Sequence, residues 1–208
     1  MQPDLILGAA AIFLASLTAG TLGFGVSVVS APFLLLFLSP KTVVPILLIY
    51  GSLVNAVIAV EAREFIDLRR IWPLMVAGLL ATPLGTFVLL IAAVDTLKLI
   101  AGIAIMGLSM ALLFDFKRPI GNEKLAFLAV GLTSGILGGS TSLNGPPVML
   151  FYANQGLPKE SFRANLVVYF LFLDAFSLPF LWEEGIISRQ VIDHTLHWSQ
   201  QTLQIQHA

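Results

Sequence analysis

The chain contains no cysteine. Disulfides, thiolate nucleophiles and cysteine-ligated metals are therefore excluded, and the compartment is left open. Charge is also scarce. Asp, Glu, Lys and Arg make up 11% of the 208 residues, where a soluble domain carries about 25%. So few charges cannot cover the surface of a water-soluble domain of this size. The net charge of −1 offers nothing to nucleic acid or to an anionic lipid surface. Histidine occurs only as His194, His197 and His207, all in a polar C-terminal tail. His194 and His197 resemble a metal pair, yet no carboxylates stand at suitable spacing. No metal and no cofactor is expected.

Apolar residues are abundant: 57% of the chain is hydrophobic and the mean hydropathy is +0.92. Six apolar blocks stand out, at 5–38, 43–60, 71–92, 96–114, 125–153 and 164–182. Most are close to the ~20 residues that span a hydrocarbon core. The expected fold is an all-α, polytopic transmembrane helical bundle over residues 1–192, followed by a polar tail at 193–208. The start, Met1-Gln2-Pro3-Asp4, lacks the basic residues of a cleaved signal peptide, so the first block is expected to stay in the membrane. The short connections hold most of the charge. Arg63, Arg69 and Arg70 lie in one, and Lys117, Arg118 and Lys124 in another. Both are expected on the cytoplasmic side. Trp72 and Trp182 end their blocks, as an aromatic belt requires.

The first and fifth blocks are too long for one simple crossing. Each carries a glycine cluster and proline, which interrupt helices. The expected breaks are 20–25 and 138–147. The two blocks also resemble each other. Leu17-Thr18-Ala19-Gly20-Thr21-Leu22-Gly23 aligns with Leu132-Thr133-Ser134-Gly135-Ile136-Leu137-Gly138. The same spacing sets Ser27 on Ser142 and Pro32 on Pro147, and a short insertion then sets Pro40-Lys41 on Pro158-Lys159. Phe65-Ile66 with Arg69 resembles Gly185-Ile186 with Arg189. The chain reads as a duplicated unit, with copies at about 5–115 and 125–192 and the second incomplete. Each long block either crosses once or forms a re-entrant hairpin, and the hairpin inverts the second copy.

A duplicated membrane unit with paired, interrupted helices points to a secondary-transporter site. A helix broken inside the membrane exposes backbone N–H groups at the start of its second half. That end carries partial positive charge and can hold an anion without a buried lysine or arginine. No Lys or Arg lies well inside any apolar block. The breaks are expected to meet near mid-membrane and bind a small anion through backbone N–H groups and Asn144. Ser140, Thr141 and Ser142 form a polar run beside Asn144. They suit ligand binding and also local capping. The glycines suit helix packing too, as in Gly131-x-x-x-Gly135.

Asp174 lies midway along the sixth block. A carboxylate there costs about 2.5–3.5 kcal/mol on insertion scales, so a functional or paired role is the default. Asp174 is a candidate proton-coupling group, or else a protonated carboxyl held by hydrogen bonds. Arg163 shares its helical face and Asn165 lies on the opposite one.

Gly20-x-x-Gly23-Phe24-Gly25 followed by Pro32, its echo Gly135-x-x-Gly138-Gly139 followed by Pro146-Pro147, and Asn55 in the second block together resemble the sulfite exporter TauE/SafE family. The resemblance runs over roughly 5–189. It implies a multi-pass transporter in the bacterial inner membrane, with a small anionic substrate such as sulfite or an organosulfonate. The residues expected to bind substrate are Gly20, Gly23, Phe24, Gly25, Pro32, Asn55, Gly138, Gly139, Ser140, Thr141, Asn144 and Pro147. Members usually carry a further pair of hydrophobic segments, where this chain has its polar tail. The tail is expected to stay in the aqueous or interfacial zone, anchored by Trp198, and the chain is expected to insert but to transport poorly alone unless a homo-oligomer or a partner chain supplies the missing pair of helices. A non-transporting or truncated membrane subunit is the alternative. An intramembrane enzyme fits worse. Ser140 and Ser142 have no intramembrane histidine to act as base, and Asp174 has no second aspartate.

Overall fold

The computed structural model describes residues 26–114 and 122–186. The first expected break, with Gly20, Gly23, Phe24 and Gly25, lies outside them, as do Lys117, Arg118 and the tail. The described residues form seven α-helices and no strand: α1 Val26–Phe37, α2 Pro40–Glu61, α3 Leu68–Ile91, α4 Val94–Leu113, α5 Glu123–Thr141, α6 Gly145–Gln155 and α7 Lys159–Glu183. A single 3₁₀ turn, Arg63–Phe65, joins α2 to α3. Five helices, α2, α3, α4, α5 and α7, are long and apolar enough to cross a membrane. The fold is the all-α, multi-pass bundle that the composition requires. Large apolar side chains such as Leu99, Ile103, Met106 and Met110 of α4 stand on its outside, where lipid is the solvent.

Local sequence sets the helix ends. Pro40 begins α2 with a φ already suited to a first turn. Asp67 accepts the Arg70 N–H to cap α3, and Asn122 accepts from Lys124 and Leu125 to cap α5. Gly156, in the left-handed region at φ 62°, ends α6.

The fifth apolar block is a hairpin. Gln155 Nε2 donates to Glu123 Oε1 at 3.0 Å, the rings of Phe151 and Phe127 lie 4.8 Å apart, and Ser134 Oγ donates to the Asn144 carbonyl. Each step back along α5 is matched by a step forward along α6, so the two run antiparallel. With 11 residues, α6 is ~16 Å long. That is about half of a hydrocarbon core. It begins inside the bundle and returns to the end at which α5 started.

Two further packings fix the arrangement. The facing sides of α3 and α5 are made of small residues. A Cβ on Gly131 would meet Ala77, one on Gly135 would strike the Gly78 carbonyl oxygen, and one on Gly139 would lie 2.5 Å from the Thr82 carbonyl oxygen. The absent side chains let the two backbones touch. α2 and α7 also run antiparallel. Arg163 pairs with Glu61 at 3.6 Å at one end, and Val44 and Leu48 pack with Leu181 at the other.

The two ends of the bundle differ in charge. The 3₁₀ turn and the start of α3, the start of α5 and the start of α7 carry Arg63, Arg69, Arg70, Lys124, Lys159 and Arg163. The opposite end carries Lys41 and Lys98 among the described residues.

Candidate functional site

Beside the α2–α7 pair lies a small cavity lined by Ser27 and Val28 of α1, Gly51 and Asn55 of α2, Asn144 at the α5–α6 break, Gly145 and Met149 of α6, and Phe170 and Asp174 of α7. Its volume is about 20 Å³, room for about one water. It sits away from both ends of the bundle. Glu61 with Arg163 marks one end of the α2–α7 pair and Val44 with Leu181 the other. Gly51 and Asp174 face each other between them.

α6 begins here, and the first described turn of α1 lies against it. α5 closes with Ser142 in the left-handed region, φ 59°, a conformation that a non-glycine residue adopts at some cost. Leu143 and Asn144 then lead into α6. α1 runs the opposite way to α6, because its far end joins α2 beside Lys41, whereas α6 ends beside Arg70. Ser27 Oγ and Ser142 Oγ lie 3.4 Å apart. They are the residues that the sequence repeat superimposes. Asn55 and Asp174, 119 positions apart, fall between the spacing of the Pro40–Pro158 pair and that of the Phe65–Gly185 pair.

The start of α6 is poor in donors. An α-helix leaves its first N–H groups unpaired. In α6 two of those positions are Pro146 and Pro147, which have no N–H. The break is thus satisfied in part by removing donors, and Gly145 and Val148 keep theirs.

Asn144 is the N-cap residue of α6 by position, but its side chain makes no capping bond. Instead Nδ2 reaches across to Asp174 Oδ1 at 3.5 Å. Ser52 and Asn55 of α2 are within hydrogen-bonding reach of the same carboxyl. Four side chains from three separate elements therefore converge, and the only ionisable one among them is Asp174. No lysine or arginine lines the cavity among the described residues.

The sequence candidates separate into two groups. Asn55, Asn144 and Asp174 come together at the cavity. Gly138 stands behind it, where a Cβ would lie 2.9 Å from that of Asn144. The others face elsewhere. Gly139 packs on α3. Ser140 Oγ and Thr141 Oγ1 donate to the carbonyls of Ile136 and Leu137 one turn earlier in α5, at 2.7 and 2.8 Å. Pro32 and Pro147 are half-buried and do not line the cavity. Arg163 is engaged with Glu61. Asn165 accepts the Asp67 N–H at 2.9 Å, on the opposite face from Asp174 as helical spacing requires. Gly51, Ser52, Met149 and Phe170 were not singled out from the sequence. Gly51 and Asn55 are one helical turn apart in an apolar helix, a signal that could have pointed to them. Met149 and Phe170 carry no such signal.

Chemically, the cavity offers amide and hydroxyl dipoles, a few backbone donors and one carboxyl, all shielded from water. It has the parts of a binding site for a small polar solute. Residues 8–198 match the family model described as Sulfite exporter TauE/SafE. Neither curated proteins nor solved structures gave a match.

Proposed function

The chain belongs to the sulfite exporter TauE/SafE family, a family of membrane transporters, and on that premise we propose that it moves a small sulfur oxyanion, sulfite or an organosulfonate, across the inner membrane through the cavity at Asn144. The observation that carries this reading is a helix broken inside the bundle, whose second half starts at a polar cavity beside the oppositely running α1. The α6 start contributes partial positive charge. A discontinuous helix whose half-helix start faces the site is the arrangement through which transporters hold an anionic group.

With room for about one water, the cavity is in a closed state. A sulfur oxyanion needs more space, so the surrounding helices have to separate to admit it. The α6 hairpin is the element placed to move. Its far end is held by the polar chain Arg70–Gln155–Glu123, with bonds of 2.9 and 3.0 Å, and these can open and reform at the membrane surface. The more basic end, with Arg63, Arg69, Arg70, Lys124, Lys159 and Arg163, faces the cytoplasm in this reading.

The test uses the purified chain in lipid vesicles. Radiolabelled sulfite or methanesulfonate is expected to equilibrate across vesicles containing the protein faster than across empty ones, and unlabelled sulfonate is expected to compete. Absence of both flux and binding would overturn the reading. Orientation is tested separately in cells. A single cysteine in place of Arg63 is expected to resist an impermeant thiol reagent, and one in place of Lys98 to react. The reverse pattern would invert the assignment.

A further inference from the structure

The proposed site contains a contradiction that has to be resolved for it to work. Its substrate is an anion, yet the one ionisable side chain in its wall, among the described residues, is a carboxyl. Asp174 is 4% exposed, and every described group facing it is neutral. From α2 these are Gly51, Ser52 and Asn55. From the α5–α6 break it is Asn144. From α1, Ser27 shares the cavity. On α7 itself the titratable neighbour is Tyr169, whose hydroxyl lies against Gly78 of α3. Arg163, on the same helix, is committed to Glu61 at the bundle end. No cation stands ready to neutralise Asp174 or to share the anion with it among the described residues.

An ionised carboxylate and an anion in one water-poor cavity repel strongly, because low dielectric magnifies the interaction. A protonated carboxyl has no such conflict, and its O–H becomes a donor to the incoming oxyanion. Resting on the anion-site reading above, we propose that Asp174 is the proton carrier of this transporter, and that anion and proton occupy the cavity together. Binding proceeds by addition of one proton to the Asp174 carboxylate, giving the neutral acid, followed by the anion. Asn144 then serves both partners. Its amide donates to Asp174 in the empty state and is released to the anion when the carboxyl gains its own proton. A monoanion and one proton cross without net charge, and the sum of the anion and pH gradients sets the direction of flow.

Linkage gives the sign. If only the protonated form binds, raising the pH depletes the binding-competent state. Affinity then falls, approaching about tenfold per pH unit above the titration of Asp174. By reciprocity, anion binding draws a proton from solution.

Methanesulfonate is the probe, because it stays a monoanion across pH 5–8 and its own protonation does not enter. Its binding to the full chain in detergent is measured over this range, together with proton uptake in weak buffer. The expected result is weaker binding at higher pH and uptake approaching one proton per anion bound. Asp174→Asn, with a permanently neutral side chain, is expected to bind with an affinity that does not vary with pH. Binding by the wild-type chain that is independent of pH and takes up no proton would overturn the proton-carrier role while leaving the anion site standing. No binding at any pH, by the wild-type chain or the variant, would overturn the anion site and the proton role with it. The proton-uptake measurement needs only the wild-type chain, so it decides the matter even if the variant fails to fold.

Discussion

The α3–α5 interface and the cavity at Asn144 draw on the same residue types, and they use them in opposite ways. Both place glycines beside small hydroxyl residues. At the α3–α5 interface two uninterrupted helices lie side by side. Their small residues close the gap completely, and the hydroxyls of Thr82 and Thr86 on α3 turn back to carbonyls of their own helix at 2.8 and 3.2 Å. Nothing polar is left over for a ligand. At the cavity one partner is interrupted. The chain leaves helical geometry between Ser142 and Asn144, and a side chain is directed across the gap instead of back along a helix. Small residues on a continuous helix produce contact, and small residues beside a break leave space.

The comparison breaks most visibly at Gly135. Gly135→Leu places a branched side chain where the Gly78 carbonyl already sits. Overpacking costs about 1–3 kcal/mol and occasionally more, and rigid backbone on the other side puts this substitution at or above the top of that range. Loss of folded protein in detergent, or a large fall in melting temperature, is expected. A normally stable variant would show that the two helices do not touch there.

At the cavity, Asn144→Ala is expected to weaken anion binding by about tenfold, in keeping with ~1.5 kcal/mol for one hydrogen bond to a charged group. Its melting temperature should stay near that of the wild-type chain, since the side chain caps nothing. A drop in stability with unchanged affinity would assign it to the scaffold. Asn55→Ala shares the same wall but reaches the site from an unbroken helix. A smaller loss, a few-fold, is expected in the same titration. Equal losses at both positions would mean that the break has no special part in binding.

The smallest effect is expected at Thr82. Thr82→Ala removes a hydroxyl bonded only to its own helix, and such a change should stay within ~0.5 kcal/mol and leave binding untouched. A clear loss of anion affinity would extend the functional region into the interface.

Much of this was legible in the residues. Asn55, Asn144 and Asp174 stand out because polar groups are rare in these apolar blocks, and the structure brings all three to one cavity. The repeat sets Ser27 on Ser142, and their hydroxyls lie 3.4 Å apart. Ser140 and Thr141 were equally conspicuous, yet each satisfies itself one turn back, which sequence does not distinguish from pointing at a ligand. Gly138 and Gly139 were read together as part of a break. They lie within helix α5, one against Asn144 and the other against α3. Adjacent helical positions point about 100° apart, so neighbours in sequence can serve different surfaces.

The sequence by itself determined the solvent and the class of fold. With 11% charged residues and apolar blocks of membrane-spanning length, only helices that satisfy their own backbone can fold in this way. It also determined where polar groups and interruptions fall along the chain. Tertiary structure decided which of them meet. Whether the fifth block crosses or turns back depended on antiparallel contacts between Glu123 and Gln155, Phe127 and Phe151, and Ser134 and Asn144. The isolation of Asp174 from every described cation includes Arg163, which is paired with Glu61 at the far end of the same helix. Helical periodicity fixes the direction of each side chain relative to its own axis. It carries no information on what another helix places opposite, and a binding site is made of such opposites.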